Sequence, residues 1–309
     1  MRYFWFCMVM LVATSTQAEP VRWFPDALGQ DGRITLSPNF SPDGRFIVFA
    51  QSECLRIGDC PQRMKTSVRM GSRWSAPRLV PQTATGRADW PSITPDGRSY
   101  LFSWAVARDR HDGKDVGEDF DLYLLKIGDQ NAQPVPLDSP DINRIRGGDL
   151  RALRYFNNET APILTESGKL YFWTEREDGV GERDIYSAAP NGSGGFEVPV
   201  PLPAPINSTA RDDHVWITGD DSFMLLSRMV DGESDLFFSA RDASGQWSTP
   251  ISLGASVNSE YADFAARITP DSRHLIFTST RPFDDQPAGQ LQVWSIPLDE
   301  VPALSGRQF

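Results

Sequence analysis

Short apolar runs alternate with polar turns along the chain, and one such unit recurs five times. Each copy opens with an apolar residue and a Ser or Thr, passes through a turn such as Pro-Asp-Gly, and ends in an apolar run of strand length. The copies are residues 40–50, 93–103, 164–174, 217–227 and 268–278. Proline presets φ at the first corner, Asp bonds nearby backbone and Gly accepts positive φ, so these segments favour tight reversals. Each copy predicts two antiparallel strands joined by a short turn.

Two further patterns follow each hairpin and predict a third and a fourth strand. The third strand starts with an Asp-Leu-Tyr type of triplet, and these are residues 121–123, 184–186 and 235–237, with a weaker version at 292–294. The fourth strand contains proline, as in residues 74–80 and 247–253. Because proline cannot donate to a strand ladder, this strand is expected at the outer edge of its sheet. Four strands repeated every 51 to 71 residues predict an all-β propeller of five blades, with six blades as the alternative.

The last copy lacks an outer strand of its own, and the N-terminal segment is a candidate to supply it. The copy ends near Pro297 after a third strand, whereas residues 22–29 carry the proline spacing of an outer strand without a preceding hairpin. We predict that residues 22–29 complete the fifth blade. This closure would protect strand edges that a terminal blade otherwise exposes.

The first 18 residues have the features of a secretory signal. Arg2 gives a positive start, residues 3–12 are apolar, and residues 16–18 offer small side chains at the cleavage site. The apolar run is shorter than the roughly 20 residues that cross a bilayer, although an uncleaved N-terminal anchor is the alternative. We therefore expect a periplasmic or secreted protein with one domain, residues 19–309, and no transmembrane segment after signal removal.

The cysteines and the net charge limit the kinds of site and partner that are expected. Cys7 lies in the signal, and Cys54 and Cys60 are expected to form a disulfide in an oxidising compartment. Their spacing is not that of a redox Cys-x-x-Cys motif, and two cysteines do not make a zinc site. The net charge of −11 argues against nucleic acid and anionic lipid as partners.

The turns resemble those of a known repeat family. The Ser-Pro-Asp-Gly turn at Ser41, the Thr-Pro-Asp-Gly turn at Thr94, the Thr-Pro-Asp-Ser turn at Thr269 and the later Asp-Leu-Tyr triplets are similar to the WD40-like repeats called PD40, which form the propeller of periplasmic TolB. The resemblance covers essentially the whole chain after the signal and implies an exported propeller. It implies no particular function, because propellers serve as binding modules and as enzymes. TolB has six blades and an additional α/β domain, so its role in Tol-Pal assembly is not carried over.

Loop lengths indicate which face carries function. Connections from an outer strand to the next inner strand, and from a second to a third strand, share one face of a propeller. Residues 138–157 contain an insertion of about a dozen residues there, and a second long loop separates Phe102 from Asp121. The Pro-Asp-Gly turns on the opposite face are short. Since function concentrates in loops on a rigid scaffold, the face with the insertions is the expected binding face.

Charged and aromatic residues recur where the inner strands begin on this face. The acidic residues are Asp89, Glu159, Asp212, Asp213 and Asp263, and the arginines that follow the second strands are Arg108, Arg176, Arg228 and Arg281. Trp90, His214, Tyr261 and Phe264 are nearby candidates for ligand contact. One hypothesis is a mouth that binds a cation or a polar ligand. The other is a set of Arg–carboxylate pairs that lock the blades together.

A calcium site is a further hypothesis. Asp109, Asp112 and Asp115 lie in one loop, and carboxylate oxygens at short spacing suit Ca²⁺. The loop lacks EF-hand spacing, and a solvated acidic hairpin tip is the alternative. The sequence predicts no other cofactor.

These features favour a noncatalytic binding or assembly module whose partner is a periplasmic or cell-envelope protein, a peptide or a glycan. The alternative is a glycoside hydrolase or another hydrolase with carboxylates at the funnel mouth, because several sugar-cleaving families use two carboxylates on a similar scaffold. A Ser-His-Asp site lacks a Gly-x-Ser-x-Gly elbow, and His214 is the histidine to test. Two unpaired carboxylates in an open funnel would favour the hydrolase, whereas complete pairing with Arg would favour the binding module.

Overall fold

Short strands follow one another along the whole described chain in the computed structural model. The structure describes residues 18–23, 34–54, 59–71, 73–106, 120–138, 141–144, 158–176, 178–284, 288–307 and 309. The residues predicted as a signal, apart from Ala18, therefore lie outside the described residues. Among those described, no helix has the length and apolar character needed to cross a membrane.

The strands group into five sheets, and four of these are built only from consecutive strands of the chain. The first sheet contains β2 (Ile34–Phe40), β3 (Phe46–Ser52), β4 (Arg63–Met70), β5 (Arg73–Trp74) and β6 (Arg78–Leu79). The second contains β7 (Arg87–Ile93), β8 (Ser99–Ala105), β9 (Phe120–Lys126) and β10 (Val135–Pro136). The third contains β11 (Glu159–Leu164), β12 (Leu170–Thr174), β13 (Asp184–Ala188) and β14 (Val200–Pro201).

The remaining two sheets complete the ring. The fourth contains β15 (Asp212–Ile217), β16 (Phe223–Val230), β17 (Glu233–Ala240) and β18 (Ile251–Ser252). The fifth contains β19 (Asp263–Ile268), β20 (His274–Ser279), β21 (Gln292–Pro297) and β1 (Val21–Arg22). All pairings within the sheets are antiparallel, and the architecture is a propeller of five blades rather than six.

The N-terminal strand closes the ring, as the sequence predicts. Val21 pairs with Ser295 and Arg22 with Trp294, while the Trp23 N–H donates to the Val293 carbonyl at 2.9 Å. The strand begins one residue before the predicted segment 22–29, of which residues 24–29 lie outside the described residues. The fifth blade is therefore made from two stretches that are far apart in the chain.

The Ser or Thr of each repeat has a structural role in its turn. The Ser41, Thr94, Thr218 and Thr269 hydroxyls donate to the aspartate two residues later at 2.6–2.7 Å. In blade 3 that aspartate is replaced, and Thr165 Oγ1 instead lies 2.9 Å from Ser167 Oγ. The repeated Ser/Thr-x-Asp motif is thus a self-contained turn, in which a side chain supplies the hydrogen bonds that the reversed backbone needs.

Each inner strand carries a bulge that the sequence did not reveal. The residues with positive φ at this position are Ser37 (46°), Trp90 (50°), Ala161 (54°), His214 (46°) and Ala265 (54°). Non-glycine residues rarely adopt this conformation. Its presence at the same register in all five blades makes it part of the architecture rather than a feature of one site.

Side-chain hydrogen bonds connect the linkers between blades to the third strand of the preceding blade. Asn207 accepts from the Ile185 N–H and donates to the Ile185 carbonyl, both at 2.9 Å, so the linker into blade 4 holds the third strand of blade 3. Asn143 and Asn258 repeat this contact with Leu122 and Leu236. The predicted disulfide between Cys54 and Cys60 is also present, in the connection from β3 to β4.

Candidate functional site

The two ends of the propeller axis differ in chemistry. Each inner strand starts at one end, which we call the entrance end, and finishes at the Ser/Thr-Pro-Asp turns, which we call the turn end. The connections that contain the predicted insertions join strands at the entrance end, because Arg87 at the start of β7 pairs with Ala105 at the end of β8. Residues 107–119 and 145–157 of those connections lie outside the described residues.

Several predicted site residues fall in those segments. Arg108 and the calcium candidates Asp109, Asp112 and Asp115 are outside the described residues. In the part of the chain that the structure describes, no three His, Cys, Asp or Glu side chains are grouped as a metal site would require. The calcium site stays a prediction.

Three of the predicted arginines pair with carboxylates of their own blade. Arg176 Nη2 lies 2.9 Å from Glu159 Oε1, and Arg281 Nη2 lies 2.7 Å from Asp263 Oδ1. The corresponding pair in blade 4 is Arg228 Nε with Asp212 Oδ1, at 2.5 Å. The three carboxylates are completely buried, with side-chain exposures of 0%.

The same arginines also bind the linker that leads into their blade. They donate to the carbonyl oxygens of Ile142, Ile206 and Val257 at 2.6–2.7 Å. The Asp212 and Asp263 carboxylates accept further bonds from the hydroxyls of Ser208 and Ser259, both at 2.7 Å. This is the arrangement expected from the hypothesis of Arg–carboxylate pairs that hold the blades together, which the sequence left open beside the hypothesis of a ligand-binding mouth. Each of these three buried carboxylates is matched by an arginine of its own blade.

Asp89 in blade 2 has a less complete set of partners. Arg87 Nε donates to its Oδ2 at 2.9 Å, but its buried Oδ1 has no hydrogen-bond partner among the described residues. Burial raises the pKa of Asp89, and the charges of Arg87 and then His214 oppose that rise.

Asp213 and His214 belong to a second buried network. His214 Nδ1 lies 2.6 Å from Asp213 Oδ1, and Arg183 Nη1 lies 3.0 Å from Asp213 Oδ2. Arg183 also donates through Nε to Glu175 Oε1 at 3.0 Å. Burial raises the pKa of Asp213, but the opposing effects of His214 and Arg183 are together larger and bring it down to about 2. The network links blades 3 and 4.

Four rings form an axial aromatic cluster, defined as Trp90, Trp173, His214 and Phe264. The Trp90 and His214 ring centroids are 4.2 Å apart, and those of His214 and Phe264 are 5.2 Å apart. Trp173 lies 5.7 Å from His214. Blades 2 and 4 are not neighbours in a ring of five, so the contact between Trp90 and His214 crosses the axis. Tyr261 is half-buried in the linker before β19 and is not part of the cluster.

The buried Glu175 carboxyl group is expected to make the free energy of unfolding depend on pH. Its side chain is 12% exposed, and burial raises its pKa to about 7 although Arg183 opposes the change. Between its ordinary pKa of 4.5 and about 7, the folded protein holds a proton that the unfolded chain releases. The free energy of unfolding should therefore fall as pH rises through this window, by up to about 3 kcal/mol. Urea unfolding of Glu175→Gln should show a flatter pH profile there. The exposed Glu197→Gln control should keep the wild-type slope, and an unchanged slope in Glu175→Gln would contradict the assignment.

Comparison with known proteins yields the fold but no family. No family model matches the chain, and no curated protein matches it. The resemblance to PD40 repeats therefore stays a resemblance.

Solved structures of propellers match most of the chain. A putative TolB from Agrobacterium tumefaciens is 18% identical, with 87% of this chain and 78% of that chain covered and a TM-score of 0.50. An α-L-arabinofuranosidase from Lactobacillus brevis is 11% identical, with coverages of 89% and 93% and a TM-score of 0.50. At these identities the similarity establishes a shared fold and nothing about activity.

Proposed function

We propose that this protein is a noncatalytic binding or assembly module exported to the cell envelope, and that it engages a protein, a peptide or a glycan at the entrance end. One observation carries the proposal. Every predicted entrance carboxylate has an arginine partner, and these are Asp89, Glu159, Asp212, Asp213 and Asp263. Their charges are matched by arginine and are not free for substrate.

The pairing argues against hydrolysis on physical grounds. A glycosidase needs one carboxyl group that donates a proton and a second that attacks or activates water, and both must reach the substrate. Glu159, Asp212 and Asp263 are fully buried and hydrogen-bonded to arginine. Removing any of them from its partner would leave a buried charge uncompensated, which costs several kcal/mol.

The entrance end offers a surface for binding instead. Trp90, His214 and Phe264 are partly exposed at the axis, and such rings can stack on a sugar or on a partner's side chain. The end of β8, where one long connection begins, lies at this end of the blades. The Cys54–Cys60 disulfide supports an exported location, because disulfides persist in oxidising compartments.

A hydrolase is the second candidate, and one observation favours it. His214 Nδ1 lies 2.6 Å from Asp213 Oδ1, and its ring centroid lies 4.2 Å from that of Trp90, the residue after Asp89. Burial raises the pKa of Asp89, whereas the pKa of Asp213 is lowered to about 2. Two carboxyl groups whose pKa values are driven apart are typical of an acid and a base at one site. An α-L-arabinofuranosidase with the same fold supports a glycoside as the substrate to test.

The experiment compares capture of a partner with turnover. A chain starting at residue 18 is immobilised and exposed to periplasmic extract, beside a variant in which a short Gly-Ser linker replaces residues 145–157. This replacement keeps Asn143, which accepts a hydrogen bond from the Leu122 N–H of blade 2. It also keeps Ile142, whose carbonyl accepts a hydrogen bond from Arg176. Trp90→Ala is the second variant, and Arg98→Ala, exposed at the turn end, is the control.

We expect wild type and the control to retain the same partner and the two entrance-end variants to lose it, with all four chains folded. Aryl arabinoside and other aryl glycosides should not be hydrolysed. Undiminished capture by both entrance-end variants would exclude the proposed face. Turnover by wild type that disappears in Asp89→Asn would establish the hydrolase.

A further inference from the structure

A cavity of about 370 Å³ opens at the turn end of the axis, opposite the entrance end. It is lined by residues from the inner strands and turns of all five blades, among them Asn39, Ile163, Trp216 and Arg267. Phe309 lies at its rim, where the Ser272 hydroxyl donates to the Phe309 carbonyl at 3.1 Å. Cavities of this size hold small organic molecules.

One register position of the inner strands surrounds this end of the axis. Directly after the bulges, the residues that pair with the second strands are Asn39, Ser92, Ile163, Trp216 and Arg267. Around the ring, the residues of blades 5, 1 and 2 are polar and those of blades 3 and 4 are apolar. Ser92 does not line the cavity, so its wall has a polar arc, formed by Arg267 and Asn39 of the adjacent blades 5 and 1, and an apolar arc, formed by Ile163 and Trp216 of the adjacent blades 3 and 4.

Arg267 has no counterion in the described part of the chain. The residue is 6% exposed, and its Nε and Nη1 atoms are buried without a hydrogen-bond partner. Burial lowers its pKa to about 10, which still leaves it charged at neutral pH. Arg176, Arg228 and Arg281 show how this fold treats a buried arginine, because each has a carboxylate partner.

The carboxylates nearest to this end are occupied or exposed. Glu166 lines the cavity but is exposed to solvent. The turn aspartates Asp43 and Asp271 accept hydrogen bonds from Ser41 and Thr269 of their own turns. A buried, unpaired guanidinium is costly, and its position on a cavity wall suits an anion from outside the chain.

We propose that the turn-end cavity binds a small organic carboxylate, whose charged group contacts Arg267 and Asn39 and whose apolar group lies against Trp216 and Ile163. A guanidinium donates charge-assisted hydrogen bonds to a carboxylate, and Nη2 is the nitrogen of Arg267 that is not among its buried atoms without a partner. Asn39 Oδ1 accepts from the Ile93 N–H at 3.3 Å, which leaves the amide nitrogen of Asn39 as a donor. Inorganic phosphate would satisfy Arg267 but would gain nothing from the apolar arc.

The site is independent of the proposed function. It lies at the other end of the axis, and none of its residues belongs to the entrance end. The two hypotheses can therefore fail separately.

Calorimetric titration with sodium benzoate tests the charge requirement. Wild type should bind benzoate, whereas Arg267→Met should bind it at least tenfold more weakly, because methionine approximates the length of the side chain without its charge-assisted hydrogen bonds. The matched control is Arg273→Met, which changes an exposed arginine at the same end of the axis and should leave the affinity unchanged. No heat with wild type, or equal affinity in Arg267→Met, would overturn the proposal.

Three further probes test whether the ligand needs both a carboxylate and an apolar group. Acetate, inorganic phosphate and benzyl alcohol should each bind at least about tenfold more weakly than benzoate. Acetate lacks the apolar group, benzyl alcohol lacks the carboxylate, and phosphate lacks both. Trp216→Ala should remove most of the advantage of benzoate over acetate. Phosphate that binds more tightly than benzoate would overturn the assignment to an organic carboxylate.

Thermal unfolding separates loss of binding from loss of folding. Because Arg267→Met removes a buried and unpaired charge, we expect the Tm of the ligand-free variant to rise by a few degrees. Benzoate should raise the Tm of wild type and not that of Arg267→Met. A lower Tm for the ligand-free variant would mean that the guanidinium is already compensated, and the proposal would fail.

Discussion

Arg176→Met is expected to destabilise the propeller by about 3–5 kcal/mol, because it leaves the Glu159 carboxylate buried without its charge partner. The two side chains are 3% and 0% exposed, and the guanidinium also donates to the Ile142 carbonyl at 2.7 Å. The change therefore breaks a contact within blade 3 and a contact with the linker that precedes it. Urea unfolding followed by tryptophan fluorescence measures the loss.

A double variant tests that explanation. Arg176→Met combined with Glu159→Leu removes both charges and should recover most of the lost free energy, since replacing a buried ion pair by apolar residues is often neutral. The opposite response is expected at Arg267, where loss of the charge should raise the stability. A cost below about 1 kcal/mol for Arg176→Met would mean that water or another group reaches Glu159, and the locking role would be wrong.

A chain that begins at residue 24 is expected to lose about 3–5 kcal/mol relative to one that begins at residue 18. The truncation removes β1 and its ladder with β21, including the bond from the Trp23 N–H to the Val293 carbonyl. It also removes the Trp23 ring, whose centroid lies 5.6 Å from that of Phe40 in blade 1. About 1 kcal/mol for each hydrogen bond and about 2 kcal/mol for the half-buried ring account for the magnitude.

The truncated chain should also self-associate, because β21 becomes an exposed edge strand. Thermal unfolding and light scattering together measure both effects. A chain that begins at residue 21 keeps the closing strand and should match the longer one. If the chain from residue 24 were as stable and as monomeric as its control, pairing of β1 with β21 would contribute nothing to the fold.

The repeat pattern predicted the blades because the information is local. Ser41, Thr94, Thr218 and Thr269 each bond an aspartate in their own turn, so a sequence of four residues is enough to specify the reversal. The need for a closing strand was also predictable, because the fifth repeat lacks an outer strand, but the strand that pairs is Val21–Arg22, and the proline spacing that suggested residues 22–29 lies outside the described residues.

The bulges and the axial aromatic cluster were not predictable in the same way. Trp90 and His214 have positive φ, a conformation that a sequence usually signals with glycine, and neither position has a glycine. The conformation arises from the register of the five inner strands rather than from local propensity. Contact between Trp90 and His214 depends on the radius of the ring, which brings residues 124 positions apart to a centroid distance of 4.2 Å.

Arg267 was not among the predicted site residues, for a different reason. The predicted arginines follow the second strands, and those that the structure describes, Arg176, Arg228 and Arg281, are all paired. The available signal was a charged residue inside an apolar inner strand, at a position where another repeat has Ile163. Aligning the five inner strands at that position would have revealed it. Whether its charge is compensated depends on contacts between blades, which only the structure contains.

The contacts of Trp90 with His214 and Phe264 cross the axis at a level that the turn-end cavity does not include, since none of these three residues lines that cavity. A molecule held in the turn-end cavity therefore does not contact these rings. The described residue at the rim of its cavity is Phe309. Occupants of the two sides can exchange at their own rates, and neither needs to be displaced for the other to arrive.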